Sequence, residues 1–532
     1  MNNFDTLGVM IDMSRNAVMS MDGLKRFLPL LAKMGYNTVF LYTEDTYEIE
    51  GEPYFGYMRG RYTKDELKAL DAFSADLGIE LIPCIQTLAH LNATLRWNIF
   101  PTDFHDIMMV GDERCYELID RMFASCAECF KSRRIHIGMD EAFNLGKGKY
   151  LDQHGLRPRQ EIMKEHLSRV LEICKKYEFK PMIWSDMLFR SWSANKYRIE
   201  RTEIPREYLD ILPPEVTPVY WDYYQTEEKP YDDMLYNHEQ FSHDTWFAGG
   251  VWTWFGITPM NAYSIRTMVP AIDACRKHGV KNIFFTMWGD NGGECSRFTV
   301  LPALYYLAEY AKGNHDEASI KTGFKELIGI DFDAFMALDK PNRFDLEQPA
   351  DNKNPSKYML YSDCFNGYLD WTVERGRGNL YGEYARELAQ TAKQSRRYGH
   401  IFDTLAKLCA VLEFKYELGA KTREAYQAGD RAELRRLAER DYTEVIRRVR
   451  AFAKAFEKQW YLENKPQGFD IQDIRLGGLL RRLEHCRRDL LNYVHGKSAA
   501  IPELEEKLLP YGEQGERTIV NGVLQSMTVS TL

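Results

Sequence analysis

Residues 6–43 read TLGVMIDMSRNAVMSMDGLKRFLPLLAKMGYNTVFLYT and contain one complete strand–helix–strand pattern. The runs 6–12 and 37–43 are nearly continuous in apolar residues, which is typical of strands buried on both faces of a parallel sheet. Residues 22–34, between them, have the spacing of an amphipathic helix. This stretch therefore predicts the first unit of a parallel α/β fold.

The same alternation continues to about residue 310. Six further runs share the apolar, β-branched or aromatic texture of a strand: 79–86, 134–138, 180–186, 217–223, 246–252 and 282–288. Helical patterns separate them, for example over 64–77, 112–130 and 160–177. Eight strand–helix units in this order indicate a closed barrel more strongly than an open sheet. The predicted fold class is α/β, with a (β/α)8 TIM barrel over 1–313.

The pattern changes after about Gly313. Residues 314–379 are rich in loop signals, including prolines 341, 349 and 355. Long helical patterns follow over 380–398, 401–428, 431–462 and 471–493. We therefore expect a loop-rich connection over 314–379 and a mainly α-helical C-terminal domain over 380–532.

Composition and charge narrow the class of partner. With 69 basic and 78 acidic residues the net charge is −9, which gives no electrostatic reason to expect nucleic acid or an anionic membrane. No apolar run approaches the roughly 18 residues of a membrane span. The first residues, MNNFDTLGVMIDMSR, lack the pattern of a secretory signal, and the ten cysteines are scattered, so we expect a cytoplasmic protein. A homodimer stays open.

Acids and tryptophans gather where the predicted strands end, which is where barrel enzymes place their active sites. These strand ends include Asp12-Met-Ser-Arg15, Thr43-Glu44-Asp45, His90, Asp140-Glu141, Trp184-Ser-Asp186, Trp221-Asp222-Tyr223-Tyr224, Trp252-Thr-Trp254 and Trp288-Gly-Asp290. A glycosidase needs one acid to protonate the leaving oxygen and a second group to stabilise the oxocarbenium-like centre. Indole faces stack on sugars and exclude water. The alternative is a purely structural role, in which the tryptophans fill the top of the barrel and the acids cap the following helices.

The fourth strand end carries the most specific pattern. Residues 135–141, IHIGMDE, resemble the His-x-Gly-Gly-Asp-Glu signature of glycoside hydrolase family 20, the β-N-acetylhexosaminidases. Further motifs follow the family's order along the chain: Asp12-x-x-Arg15, Thr43-Glu44-Asp45, His90, Trp184-Ser-Asp186 and Trp288-x-Asp290. The resemblance spans about residues 5 to 295 and leaves out the C-terminal half.

The resemblance implies an exo-acting, retaining enzyme that removes terminal β-linked GlcNAc or GalNAc from glycans or glycoconjugates. The substrate's own 2-acetamido oxygen is then the nucleophile. By position, Asp140 matches the carboxylate that orients this group, and Glu141 matches the general acid and base. His90 resembles a relay that sets the protonation of the acid, with Asp45 or Glu44 behind it.

The resemblance also implies a set of substrate-binding residues. Arg15 matches a clamp on the hydroxyls of the terminal sugar, with Glu44 nearby. The acetamido pocket would be lined by Trp184, Trp221 and Trp288, and Asp290 would reach the outer hydroxyls. Strand 7 offers Trp252 and Trp254 where the family usually has a tyrosine that donates to the acetamido oxygen, so we look for that donor at Tyr223 or Tyr224.

Two departures and two alternatives accompany this prediction. Met139 stands where the family usually has glycine, and strand 1 begins too early for the small domain that usually precedes the barrel.

The alternative enzyme is a two-carboxylate retaining β-glycosidase, for which Glu294 or Asp222 could supply the second carboxylate. A non-catalytic sugar-binding barrel is the other alternative. No motif indicates a metal ion or a cofactor. The one candidate, Cys126-Ala-Glu-Cys129, falls within a helical pattern and is not interpreted as a metal site.

Overall fold

The computed structural model of the chain describes residues 4–241, 244–512, 515, 518–521 and 524–527. Eight parallel strands form a closed barrel in which each strand pairs with its neighbours in the chain and the last pairs with the first. The strands are β1 (Thr6–Asp12), β2 (Thr38–Tyr42), β3 (Glu80–Cys84), β4 (Arg134–His136), β5 (Lys180–Trp184), β6 (Thr217–Trp221), β7 (Trp246–Gly250) and β8 (Asn282–Met287). The predicted barrel is confirmed.

The apolar texture of the strands reflects burial on both faces. All seven residues of β1 are buried, and its register places Ile11 beside Met287 of β8 and Asp12 beside Tyr42 of β2. The outer face of β7 lies against a helix, because a Cβ atom at Gly249 would come within 2.3 Å of Met268 Sδ. The lack of a side chain at Gly249 therefore lets this helix approach the barrel closely.

Helices connect the strands on the outside of the barrel. The main ones are Met21–Met34, Lys64–Asp76, Glu113–Cys129, Arg159–Lys176, Glu228–Glu239, Asn261–Lys277 and Leu301–Ala311. Shorter helices are Asn92–Leu95, Lys149–His154, Asp186–Arg190 and Arg206–Leu209, and a two-stranded hairpin joins Thr102–Phe104 to Ile107–Met108. Local sequence sets where they begin: Ser20 caps the first helix, and Thr63 with Glu66 forms a capping box on the second.

Several strands end earlier than predicted. The run 180–186 leaves the sheet at Trp184, and Asp186 begins a short helix. The run 217–223 likewise ends at Trp221. In each case the last two residues of the predicted run, Ser185-Asp186 and Asp222-Tyr223, lie outside the paired strand.

The chain forms two compact units. The first contains the chain up to Val251 together with Ser264–Trp288 and Ala303–Asp316, and it holds all eight strands. The second contains Trp252–Tyr263, Gly289–Pro302 and the chain from Glu317 onward. The domain boundaries at 313 and 379 stay a prediction.

The second unit is mainly helical, as predicted for the C-terminal part of the chain. Its helices after Glu317 are Glu317–Ile328, Phe332–Met336, Pro355–Tyr361, Arg377–Gln394, Gly399–Lys415, Leu418–Gln427, Arg431–Arg436, Thr443–Glu463, Phe469–Val494 and Pro502–Glu505.

Two helices predicted as continuous are interrupted. The first breaks near Glu417, whose carboxylate accepts hydrogen bonds from the amides of Gly376 and Gly378. The second contains a π-helical turn over Leu437–Tyr442, where Arg487 donates to a carbonyl of the widened turn. Among the helices of the described residues, none combines the length and apolar composition needed to cross a membrane.

Candidate active site

The turn after β4 carries the two adjacent acids and has an unusual backbone. Gly138, Met139 and Glu141 have φ angles of 74°, 71° and 53°, all in the left-handed region. A Cβ atom at Gly138 would lie 2.1 Å from Gln86 Oε1, so this position requires glycine. The buried Met139 donates its amide to the same oxygen at 3.1 Å. Each non-glycine residue in this conformation costs about 1 to 3 kcal/mol, so the surrounding structure must hold the turn.

Asp140 is a buried carboxylate held from two sides. Gln86 Nε2 donates to Oδ1 at 2.7 Å, and His90 Nε2 lies 3.2 Å from Oδ2. Burial alone would raise the pKa of Asp140, but the charge of His90 and the hydrogen bonds from His90 and Gln86 outweigh it and lower the pKa below its ordinary value. Asp140 is therefore a fixed anion.

His90 lies between the two acids. Its Nε2 atom is 3.2 Å from Asp140 Oδ2 and 3.7 Å from Glu141 Oε2. Burial lowers the pKa of His90, yet the neighbouring charge of Asp140 and the hydrogen bond to it raise the pKa to about 9. At neutral pH His90 is therefore an imidazolium ion, which stabilises negative charge on both neighbours.

Glu141 has a more open environment than Asp140. Its side chain is 38% exposed, against 11% for Asp140. The backbone amide of Glu141 donates to Asp186 Oδ2 at 3.1 Å, which anchors the residue while leaving its carboxyl group accessible. Two consecutive acids thus have different properties: one is fixed and buried, and the other can reach a ligand.

Asp186 holds the backbone of this turn, and its pKa shifts in the direction opposite to that of Asp140. Its Oδ2 atom also accepts from Arg190 Nε at 3.3 Å, and Trp221 Nε1 lies 3.5 Å from Oδ1. Burial, followed by the negative charges of Asp140 and Glu141, raises the pKa of Asp186 to about 7. Asp186 therefore exchanges its proton close to neutral pH.

A polar chain links Asp140 to the ends of β1 and β2. Gln86 Nε2 donates to the Tyr42 hydroxyl at 3.0 Å, and that hydroxyl donates to Glu44 Oε1 at 3.0 Å. Arg15 donates to the same Glu44 oxygen through Nε at 3.3 Å and Nη2 at 3.2 Å. Burial raises the pKa of Glu44, while the charges of Arg15 and His90 act in the opposite direction. The network fixes Arg15 with part of its guanidinium exposed.

Aromatic rings surround these polar groups within the first unit. The Trp184 ring centroid lies 4.2 Å from that of His136 and 6.1 Å from that of Trp288. The ring of Trp288 also meets Tyr42 edge-on at 4.8 Å. Close to Asp186, Trp221 stacks on Tyr223 at 5.6 Å, and Tyr223 contacts Tyr224. Flat apolar faces and a fixed anion thus occur in the same unit, which suits a ligand with both C–H faces and polar groups.

Two family models match this chain. Residues 4–229 match the model described as "Glycosyl hydrolase family 20, catalytic domain", and residues 333–522 match "Glycoside Hydrolase 20C C-terminal domain". The chain belongs to glycoside hydrolase family 20. The resemblance inferred from the motifs is thereby confirmed, and it extends to the C-terminal part of the chain, in which no motif was recognised.

Relatives of this family-20 chain are distant. The chain is 25% identical to human Hexosaminidase D over 218 residues, which are 38% of this chain and 41% of the relative. It is 24% identical to Hexosaminidase D of Bos taurus over 213 residues, covering 38% and 58%. The chain spans about half the length of the curated relatives it matches.

Solved structures are also similar to part of this chain. One is an exo-β-N-acetylglucosaminidase from Vibrio harveyi in complex with N-acetylglucosamine, at 17% identity and a TM-score of 0.46, covering 62% of this chain and 58% of that one. Another is a β-N-acetylhexosaminidase from Bacteroides fragilis, at 16% identity and a TM-score of 0.46, covering 61% and 72%.

Most of the predicted site residues of this family-20 chain lie in the first unit: Arg15, Glu44, Asp45, His90, Asp140, Glu141, Trp184, Trp221, Tyr223, Tyr224 and Trp288. Trp252, Trp254 and Asp290 belong to the second unit. There Trp252 stacks on Trp254 with centroids 4.3 Å apart, and both are buried. Asp290 begins a short 3-10 turn that ends at Gly292.

Asp45 differs from its expected position. The resemblance implies Asp45 or Glu44 behind His90, but the Asp45 carboxylate accepts from Arg59 Nε at 2.8 Å and from Thr94 Oγ1 at 3.4 Å. The charge of Glu44 does act on His90 and raises its pKa. The charge of Glu44 thus acts on His90, whereas the contacts of the Asp45 carboxylate with Arg59 and Thr94 join it to two loops, and the choice between the two acids stays a prediction.

Three residues important to the geometry received no role from the sequence. Gln86 and Tyr42 hold Asp140 and Glu44, and Asp186 holds the backbone of Glu141. Each was visible as a polar side chain at or near a strand end, and Asp186 belongs to a family motif. A single sequence does not show which of these side chains contact each other across strands. The departure at Met139 has a structural explanation. Its φ is 71°, in the left-handed region that glycine adopts most easily, which explains why the family usually has glycine there.

Proposed function

We propose that the chain is an exo-acting, retaining β-N-acetylhexosaminidase, with residues 1–313 as its catalytic barrel. It removes terminal β-linked GlcNAc or GalNAc, and the substrate's acetamido group is the nucleophile. The observation that supports this most is the pair of unlike acids: Asp140 is a buried anion held by Gln86 and His90, and the neighbouring Glu141 is partly exposed. Membership of the family supports the same activity.

The proposed first step forms one bond and breaks another. The acetamido carbonyl oxygen attacks the anomeric carbon while the glycosidic C–O bond breaks, and Glu141 gives its proton to the leaving oxygen. Positive charge develops on the acetamido nitrogen of the resulting oxazolinium ion. Asp140 accepts a hydrogen bond from that nitrogen and stabilises the charge, which is why it must be ionised and fixed.

The second step reverses the roles. A water molecule attacks the anomeric carbon and gives a proton to Glu141, now a base, while the bond between that carbon and the acetamido oxygen breaks. The product retains its anomeric configuration and its acetamido group. His90 keeps Asp140 charged throughout, because its own pKa is raised to about 9.

The other predicted residues bind the sugar. We propose that Arg15 and Glu44, already joined to each other, hold hydroxyls of the terminal sugar. The rings of Trp184, Trp221 and Trp288 line the acetamido pocket, and the donor to its carbonyl is Tyr223 or Tyr224. We propose Asp290 as the contact to the outer hydroxyls and keep Trp252 and Trp254 as aromatic residues of the same site.

The two-carboxylate alternative has weaker support, because both acids that could serve as its nucleophile are buried in ion pairs. Glu294 lies 2.7 Å from Lys357 Nζ and 2.7 Å from Arg475 Nη1. Asp222 lies 2.7 Å from Arg198 Nε. A nucleophile must reach the anomeric carbon, whereas these carboxylates are already engaged.

The nature of the intermediate tests the proposal. A thiazoline mimic of the oxazolinium ion should bind far more tightly than the product sugar, and Asp140→Asn should sharply reduce both turnover and thiazoline affinity because the paired negative charge is lost. Intact-protein mass spectrometry after treatment with a 2-deoxy-2-fluoro glycoside should show no adduct. A stable glycosyl ester on any Asp or Glu would establish the two-carboxylate mechanism, and sugar binding without turnover would indicate a binding barrel.

A further inference from the structure

Two exposed tyrosines and a partly buried tryptophan form a cluster in the first unit. The ring centroids of Tyr54 and Trp97 are 5.4 Å apart, those of Tyr57 and Trp97 are 5.6 Å apart, and the two tyrosine rings are 6.2 Å apart. Both tyrosines are 43% exposed. We call Tyr54, Tyr57 and Trp97 the aromatic platform. Large aromatic rings are usually buried, so two exposed tyrosines beside a partly exposed tryptophan need an explanation.

The platform is built on the two loops that carry Asp45 and His90. Tyr54 and Tyr57 follow β2, and Trp97 follows β3 just beyond the helix Asn92–Leu95. These are the loops at the C-terminal ends of barrel strands, where a barrel enzyme binds its substrate.

Both loops are fixed to Asp45. Arg59, two residues after Tyr57, donates to the Asp45 carboxylate at 2.8 Å and also to the carbonyl of Ser14. Thr94, three residues before Trp97, donates to the other Asp45 oxygen at 3.4 Å. A Cβ atom at Gly56 would lie 2.1 Å from the Asp45 carbonyl oxygen, so the turn between the tyrosines lies directly on the Asp45 backbone. The rings are therefore held in place before any ligand arrives.

We propose that the aromatic platform binds the sugar on the leaving-group side of the scissile bond, so that the preferred substrate is an oligosaccharide. This inference rests on the proposed function. An exo-acting site encloses one terminal sugar, so the rest of the glycan must leave past Glu141 and His90. Aromatic rings offer flat faces to the C–H faces of a pyranose, and the tyrosine hydroxyls can hydrogen-bond its rim. Asp45, buried beneath the platform, then has a positioning role.

The test compares two substrates that differ only in the leaving group. One is the chitobiose-type disaccharide of the N-acetylhexosamine that the parent chain prefers, and the other is the methyl glycoside of the same sugar, whose leaving group is too small to reach the platform. Trp97→Ala should lower kcat/KM for the disaccharide about five- to tenfold, mainly through KM, and leave the methyl glycoside nearly unchanged. Trp97→Phe should restore most of the loss, since it keeps a ring.

A matched control and the opposing outcomes make the result decisive. Tyr461→Ala removes another exposed aromatic residue, 52% exposed in the helix Thr443–Glu463, and should leave both substrates unaffected. Equal losses on both substrates would show that Trp97 is only structural. A change in sedimentation without a change in the substrate ratio would show that a second copy of the chain covers the platform instead. If the parent chain cleaves neither substrate, the proposed function fails rather than the platform.

Discussion

Asp140 and Asp186 are two buried aspartates in one site whose pKa values shift in opposite directions. Burial acts on both in the same sense, so the difference comes from the neighbours. Asp140 has the cation His90 and an amide donor, whereas Asp186 has the negative charges of Asp140 and Glu141 near it. A pair of like groups separated in this way can provide a permanent anion and a proton reservoir in the same pocket.

This difference predicts a pH-dependent effect of Asp186→Asn. The folded-state pKa of Asp186 is raised to about 7, so folding favours its protonated form, and the ionised form costs stability. The native chain should therefore lose stability relative to the Asn variant as pH rises from about 4 through 7. Urea midpoints at pH 5 and pH 8 check this: the variant should gain relative to the parent at pH 8. A difference that is constant across this range would mean that Asp186 is ionised throughout.

Among the secondary-structure elements, the hairpin between β3 and β4 supports the loop that follows Asp140 and Glu141. The carboxylate of Asp103 accepts three backbone hydrogen bonds, from Gly146 at 2.6 Å, Gly148 at 3.0 Å and Tyr150 at 3.0 Å. Asp103 is buried, so removing its carboxylate leaves three amides away from bulk solvent. A single side chain of one element thus fixes the backbone of another.

Asp103→Ala should leave these amides without partners and lower the free energy of unfolding by about 2 to 3 kcal/mol. Amide hydrogen exchange over 146–150 should become faster, and KM should rise because the loop after Glu141 loosens. Asp106→Ala, in the turn of the same hairpin, is the control and should change none of these three quantities. Unchanged exchange over 146–150 would show that the loop is held by other contacts.

Elements and motifs were predictable from the sequence to different extents. The eight strands follow from local apolar runs, and Asp140, Glu141, His90 and Arg15 follow from motifs near strand ends. Strand ends were misplaced by one or two residues because the side chains that follow Trp184 and Trp221 carry no local signal that the ladder ends there. The position of Asp45 and the support given by Asp103 depend on contacts between distant residues, 49 apart for Thr94 and Asp45 and 43 apart for Gly146 and Asp103, which a single sequence does not reveal.

In the second of the two compact units, a buried ion-pair cluster helps to hold the unit together. The side chains of Lys357 and Glu294 are almost fully buried, and that of Arg475 is 9% exposed. Arg475 also donates to the carbonyl and side chain of Asn291. The cluster therefore connects the segment that carries Asp290 to the helix Phe469–Val494 of the same unit.

Arg475→Ala should destabilise the chain by roughly 3 kcal/mol, because it removes one partner of a buried carboxylate. The midpoint of thermal unfolding checks the effect. Arg481→Ala, an exposed position on the same helix whose guanidinium lies 3.7 Å from Glu484, should have little effect. Equal unfolding midpoints for the two variants would mean that Lys357 alone neutralises Glu294.

The interleaved order of the two units has a consequence for biosynthesis. Trp252–Tyr263 and Gly289–Pro302 are translated among the last barrel strands, yet they belong with a unit whose remaining residues are made afterwards. The rest of that unit, from Glu317 onward, follows them along the chain and is added at roughly 5 to 20 residues per second. Until Glu317 and the residues beyond it have been made, Trp252 and Trp254 lack most of the unit in which they are buried. We therefore expect newly made chains to need chaperone protection until that unit has folded.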